Sequence, residues 1–218
     1  MDYMEIIREL KKSADAKNKA GMVRFGISPK GTLGVSVPIL RKMAKKIGKN
    51  QELSLKLWES GIHEARLLAV FIGELDKVTE GQMDKWVKDI DSWDICDQAC
   101  GNLFDKTPFV IKKIKEYIRC EEEFVRRTGF ALMATLSVHD KKMRNRDFEK
   151  FFPLIKKYSI DERNFVKKAV NWALRQIGKR NLVLRRKAIK LSKEIQKINS
   201  KSARWIANNA LRELTSLK

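Results

Sequence analysis

The run Phe124-Val125-Arg126-Arg127 returns 41 residues later as Phe165-Val166-Lys167-Lys168. Likewise, Asn171-Trp172-Ala173-Leu174-Arg175 returns 37 residues later as Asn208-Asn209-Ala210-Leu211-Arg212. Two further segments, His63-Glu64-Ala65-Arg66-Leu67-Leu68 and Ser202-Ala203-Arg204-Trp205-Ile206-Ala207, share the pattern. Apolar residues inside these segments recur at helical spacing. Val125, Phe130, Leu132, Met133 and Leu136 crowd one face, as do Val166, Val170, Ala173, Leu174 and Ile177. Alternation of the strand type, bounded by turn residues, does not occur. The chain therefore reads as helices repeated along its length.

Repeats of about 30–40 residues in an all-helical chain indicate stacked helix pairs of the HEAT type, because one pair alone cannot bury its apolar face. The fold class expected is all-α, an α-α superhelix forming a curved solenoid. Its extent is a single domain over 1–218, with 1–35 as an N-terminal helix and loop. About twelve helices are expected. Ser36 precedes Val37-Pro38 and a helix through about Lys46, Thr107 precedes Pro108 at a first helical position, and Ser159 with Glu162 forms a capping box before Phe165. Gly48, Gly61 and Gly178 read as stops. The stretch from Lys19 to Val35 is the least helical, broken by Gly21, Gly26, Pro29, Gly31 and Gly34. Its Gly31-Thr32-Leu33-Gly34 segment lacks the spacing of a phosphate loop and reads as a connector.

Charge narrows the choice of partner. The 218 residues carry a formal net charge of +20, distributed unevenly. Residues 1–50 are net +8 and residues 151–218 net +14, whereas residues 51–100 are net −6. Such a chain suits a polyanion gripped from both ends. No run is apolar and long enough for a membrane span, and no signal-peptide core opens the sequence, so a cytoplasmic protein is expected. Three cysteines, with Cys96 and Cys100 four apart, read as small core residues of a reducing compartment. His63 and His139 form no metal-type cluster, so neither metal nor cofactor is expected.

The acidic middle holds the residues with chemical potential. Asp91-Ser92-Trp93-Asp94-Ile95-Cys96-Asp97-Gln98 places three carboxylates and a tryptophan in eight residues of a basic protein. Trp93 and Asp97 share a helix face, while Ile95 and Ala99 point elsewhere. Asp97 falls 31 residues after Arg66 and 30 before Arg127, which puts Arg66, Asp97, Arg127 and Lys168 at comparable repeat positions along one inner groove. A carboxylate walled by aromatic faces such as Trp93 and Trp172 stabilises a developing cation. Packing roles compete with this reading. Asp97 pairing with Arg127 is the simpler alternative, and Trp58, Trp86 and Trp205 are assigned to packing.

The runs Ser92-Trp93-Asp94-Ile95-Cys96-Asp97, Phe124-Val125-Arg126-Arg127 and Phe165 through Arg175 resemble the AlkD-like DNA alkylation repair proteins, a family of HEAT-like repeat DNA glycosylases. Arg24-Phe25-Gly26-Ile27 through Leu33-Gly34-Val35-Ser36-Val37-Pro38 resembles their N-terminal region. The likeness runs in order over nearly the whole chain. It implies a monofunctional glycosylase that hydrolyses the N-glycosidic bond of positively charged alkylpurines, of the 3-methyladenine and 7-methylguanine type, in duplex DNA. By the same resemblance Asp97 is the catalytic carboxylate, Trp93 and Trp172 are the site tryptophans, and Arg127 contacts the DNA backbone. Phe25 stands where the family has a tyrosine, so the aromatic wall is kept and the hydroxyl is not. Lys168, Arg175 and Arg66 complete the expected DNA-binding set. The partner expected is duplex DNA carrying alkylated bases, bound by a monomer without membrane contact. The alternative is a non-catalytic HEAT-like protein that binds damaged or unusually shaped DNA. A protein-interaction scaffold is a third class, disfavoured by the charge.

Overall fold

The computed structural model describes residues 1–217 and contains fourteen α-helices and two short 3-10 turns among them, without a strand. All-helical architecture follows from the periodicity above. The contacts divide the chain into two compact units, Met1–Pro108 and a second beginning at Phe109.

The first unit holds α1 (Tyr3–Lys12), α2 (Ala16–Arg24), α3 (Val37–Ile47), α4 (Gln51–Glu59), α5 (His63–Ile72), α6 (Glu80–Asp89) and α7 (Trp93–Asn102). Helix α1 starts with a full capping box, in which the Asp2 side chain and Glu5 satisfy each other's backbone N–H groups. Ser36 is the N-cap residue of α3 and Gly48 ends it with φ 80°, as the sequence indicated. The region after Lys19 is more ordered than expected. Asp15 caps α2, which continues through Gly21 to Arg24, because a helix on the surface tolerates one glycine at a cost of about 1 kcal/mol. Helix α5 packs against α3 on one side and α7 on the other. Beneath them Trp58 and Trp86 stack face to face, centroids 4.0 Å apart, and Phe104 tilts against Trp86. Both indoles are essentially inaccessible, so their assignment to packing holds. Truncating either to alanine would cost about 3–5 kcal/mol.

The second unit holds α8 (Val110–Tyr117), α9 (Glu123–His139), α10 (Asn145–Glu149), α11 (Phe152–Tyr158), α12 (Asn164–Lys179), α13 (Leu182–Gln196) and α14 (Lys201–Ser216). Helices α9, α12 and α14 lie side by side, with α8 and α13 packed on α9 and α14. The matched starts of α9 and α12 touch: Phe124 and Phe165 have centroids 5.3 Å apart.

Three cap assignments are corrected. Helix α8 begins at Val110, beyond Pro108, and the Thr107 hydroxyl bonds back to the Phe104 carbonyl at 2.8 Å. Ser159 ends α11 and donates to the Lys156 carbonyl, while Glu162 accepts from Ser200 Oγ and the Ser202 amide at the start of α14. The amide of Phe165 in α12 is satisfied by Glu123, 42 residues earlier. Carboxylates at one repeat boundary thus cap the next repeat's helix. Gly178 lies within α12, and a Cβ there would come 2.8 Å from Leu214 Cδ1 and 3.0 Å from Ala188 Cβ. It is a close-packing glycine and not a stop.

Candidate nucleic-acid interface

In the first unit, α7 buries Ile95, Cys96, Ala99 and Cys100 and leaves Trp93 and Asp97, one turn apart, half-buried on its other side. Its first turn is tied at two points. The His63 ring Nε2 lies 2.8 Å from Asp94 Oδ2, and the Trp93 indole N–H donates to the Phe25 carbonyl at 3.0 Å. Phe25 follows α2 directly and is 72% exposed, so its backbone anchors Trp93 while its ring faces solvent. Both cysteines are buried, and neither is in a disulfide. Burial raises the Cys100 thiol well above its ordinary range, and its hydrogen bond with Cys96 and the charges of Asp97 and Asp105 add to this.

The connector before α3 is held by one buried side chain. The Glu64 carboxylate accepts from the backbone N–H groups of Leu33 (2.9 Å), Gly34 (2.6 Å) and Val35 (3.3 Å). These donors could have cradled a phosphate, but the protein supplies the anion itself. Gly34 has φ +87°, and a Cβ there would lie 2.1 Å from the Asp15 carbonyl oxygen, so glycine is required. The connector reading of this segment stands.

Arg66 is committed elsewhere in the same unit. Its Nη1 donates to the Asp89 carbonyl at 3.0 Å and its guanidinium lies over Trp58 at 5.3 Å, which finishes the C-terminal end of α6. A cationic feature that the sequence reading missed lies where α3, α5 and α7 end. Arg41, Lys45, Lys49 and Lys106, with Phe71 and Asn102, line a depression of about 410 Å³. Arg41 stacks over Phe71 at 4.5 Å and donates to Gln98, the residue after Asp97. Burial lowers the Lys49 ammonium from its ordinary value and the charge of Lys106 lowers it further, against the opposing pull of Glu74. The Lys45-Lys46 pair and Lys49 at the end of α3 were the available signal.

The second unit carries the remaining candidates. Arg127 is only 4% exposed and its Nη1 donates to the Phe165 carbonyl at 2.7 Å, linking α9 to α12. Its neighbour Arg126 reaches Asp161 at 2.8 Å and lies over Tyr158. On α12, Lys168 is exposed, Trp172 half-buried, and Arg175 shares Glu213 with Lys179. Trp205 departs from its packing assignment. It is 40% exposed on α14. No group of three potential metal ligands comes together among the described residues, and no helix is long and apolar enough to cross a membrane.

A model of the DNA alkylation repair enzyme family matches residues 6–214. The chain belongs to that family. Its fold is that of a solved structure described as "a new family of proteins related to the HEAT-like repeat DNA glycosylases with affinity for branched DNA structures". The TM-score is 0.83 at 19% identity, covering 100% of this chain and 97% of that one, so the HEAT-like repeat fold expected from the repeats is shown. No curated protein matches the sequence significantly.

Proposed function

We propose that this protein is a DNA glycosylase that releases positively charged alkylpurines from duplex DNA, with Asp97 as the catalytic carboxylate and Trp93 as an aromatic wall beside it. The observation that carries this reading is the pairing on α7. A half-buried carboxylate stands one turn from a tryptophan whose ring is fixed by its own hydrogen bond to Phe25. Membership of a DNA alkylation repair family supports it.

The chemistry asks little more. A cationic alkylpurine leaves without a proton donor: the C1′–N bond breaks and its electron pair neutralises the ring. The sugar is left as an oxocarbenium-like cation. The Asp97 charge stabilises it, the Trp93 ring faces it with its negative quadrupole, and water adds at C1′ and gives up a proton to the carboxylate. The family resemblance assigns Trp172 the second aromatic face. Lys168, Arg175 and the Arg41–Lys45–Lys49–Lys106 cluster would neutralise backbone phosphates, so log affinity should fall with log salt at a slope of about −0.9 per phosphate neutralised. Arg66 and Arg127 are better suited to positioning, given the carbonyls they already serve.

Single-turnover release of 7-methylguanine from duplex DNA tests the proposal. Asp97→Asn should lower the rate by on the order of 10²-fold while duplex affinity holds or rises. Full activity in that variant would remove Asp97 from the mechanism. A second reading is binding without excision, favoured by the likeness to a structure described as having affinity for branched DNA. It predicts tight DNA binding and no base release from the wild type.

A further inference from the structure

Of the three tryptophans assigned to packing from the sequence, Trp205 is the one the fold leaves exposed. Trp58 is fully buried and Trp86 is 1% exposed, whereas Trp205 is 40% exposed in the second turn of α14. That face also presents Lys201, Arg204, Asn208 and Arg212. The indole, Asn208, Asn209 and Arg212 line a shallow depression of about 270 Å³. The Lys167 ammonium stands 5.5 Å from the ring centroid. The nearby carboxylates are already engaged. Glu213 turns to Arg175 and Lys179. Glu162, held by the Ser202 amide and the Ser200 hydroxyl, nonetheless keeps the charges of Lys167 and Lys201 beside it.

The repeat supplies a second, independent observation. The 37-residue offset that matches α14 to α12 sets Trp205 on Lys168 and Arg212 on Arg175. The two helices lie against each other in one unit. Trp205 and Arg212 therefore continue the row on α12 to which phosphate contacts were assigned above.

We infer that Trp205 is a stacking platform for an unpaired DNA base, with Lys167 and Arg212 holding the adjoining phosphates. An intact duplex offers a protein its phosphates and groove edges, while the faces of its bases are covered. A flat indole among cations matches what a single strand offers, a sequence of π-faces on a charged backbone. The substrate class implied is DNA in which a duplex gives way to unpaired nucleotides, such as a fork or a flap. This rests on the DNA-binding part of the reading above and not on catalysis by Asp97.

The test compares the full chain and Trp205→Ala on two probes of equal duplex length: a duplex closed at both ends by non-nucleotide linkers, and the same duplex opening into a single-stranded fork. The wild type should prefer the fork. Trp205→Ala should lose about tenfold on the fork and almost nothing on the closed duplex, and Trp205→Phe should keep most of the preference. The loss that Trp205→Ala causes on the fork should vary little with salt, because stacking releases no counterions, whereas total affinity varies steeply. Equal losses on both probes, or no loss, would overturn the platform while leaving DNA binding intact. Failure of the wild type to bind either probe would bring down the DNA reading itself. A DNA-free change from dimer to monomer caused by Trp205→Ala would assign the indole to a protein contact and overturn the proposal.

Discussion

The His63 imidazole lies 2.8 Å from the Asp94 carboxylate, joining the start of α5 to the first turn of α7. Burial alone would lower the imidazole's pKa, but the hydrogen bond and charge of Asp94, helped by Glu64 and Asp91, raise it above its ordinary 6.5. Burial would raise Asp94, and the bond to His63 more than offsets it, leaving the carboxyl below its ordinary 3.8. Protonated His63 therefore contributes stability that is full below about pH 6.5 and lost as pH rises through its raised folded value. The Asp94 share is present above 3.8 and lost as pH falls through its lowered one. His63→Gln should lower the thermal midpoint most near pH 5 and least near pH 9. A midpoint difference that does not change with pH would rule out the charged pair.

Glu64 makes a second prediction. An amide in its place keeps an oxygen for the amides of Leu33, Gly34 and Val35, but removes the charge and turns an N–H group toward Leu33, where Oε2 now accepts. Glu64→Gln should cost at least about 2 kcal/mol. Amide exchange at these three residues should accelerate more than exchange in α9 of the second unit. Unchanged protection in the connector would show that the carboxylate is not what holds it.

Trp93 separates face from anchor. Trp93→Phe keeps an aromatic ring and deletes the N–H that meets Phe25, whereas Trp93→Ala deletes both. On the proposed chemistry the alanine variant should lose about tenfold in single-turnover base release, and the phenylalanine variant less. Equal losses would assign the whole effect to the anchor.

Asp161 governs acid stability of the second unit. Burial would raise its carboxyl, but hydrogen bonds from Arg163 and Arg126 hold it down to about 2. Its contribution is present above the ordinary 3.8 and lost as pH falls to about 2. Asp161→Asn should cost about 1–2 kcal/mol at pH 7, and the difference from wild type should narrow as pH falls from about 4 through about 2. Thermal scans across that range measure it.

The starts of α5, α9, α12 and α14 were legible because each opens on the same repeated pattern, and so was the Trp93–Asp97 spacing, which needs only the helical period. What escaped depends on partners distant in sequence. Ser159 and Glu162 have the spacing of a local box, yet Glu162 serves Ser202 across 40 residues. Gly178 resembles a helix stop until Leu214 is seen packed against it. Trp205 was assigned to packing on its residue type, and nothing local reveals that α14 turns it outward. Arg66 and Arg127 were identified by position in the repeat, but only the fold shows the Asp89 and Phe165 carbonyls that occupy them.

The carboxylates that reach forward from one repeat boundary to the next helix start bear on how such a chain can change length. Glu123 serves Phe165 and Glu162 serves Ser202, so α12 and α14 each begin on an acid encoded in the module before. A duplicated module inserted between them would have to receive one acid and provide another, and a deletion that removed only the acid would leave its successor's amide groups bare. Growth or loss by whole modules, cut at the same point in each, preserves the chain of caps. Shuffling at any other boundary breaks it.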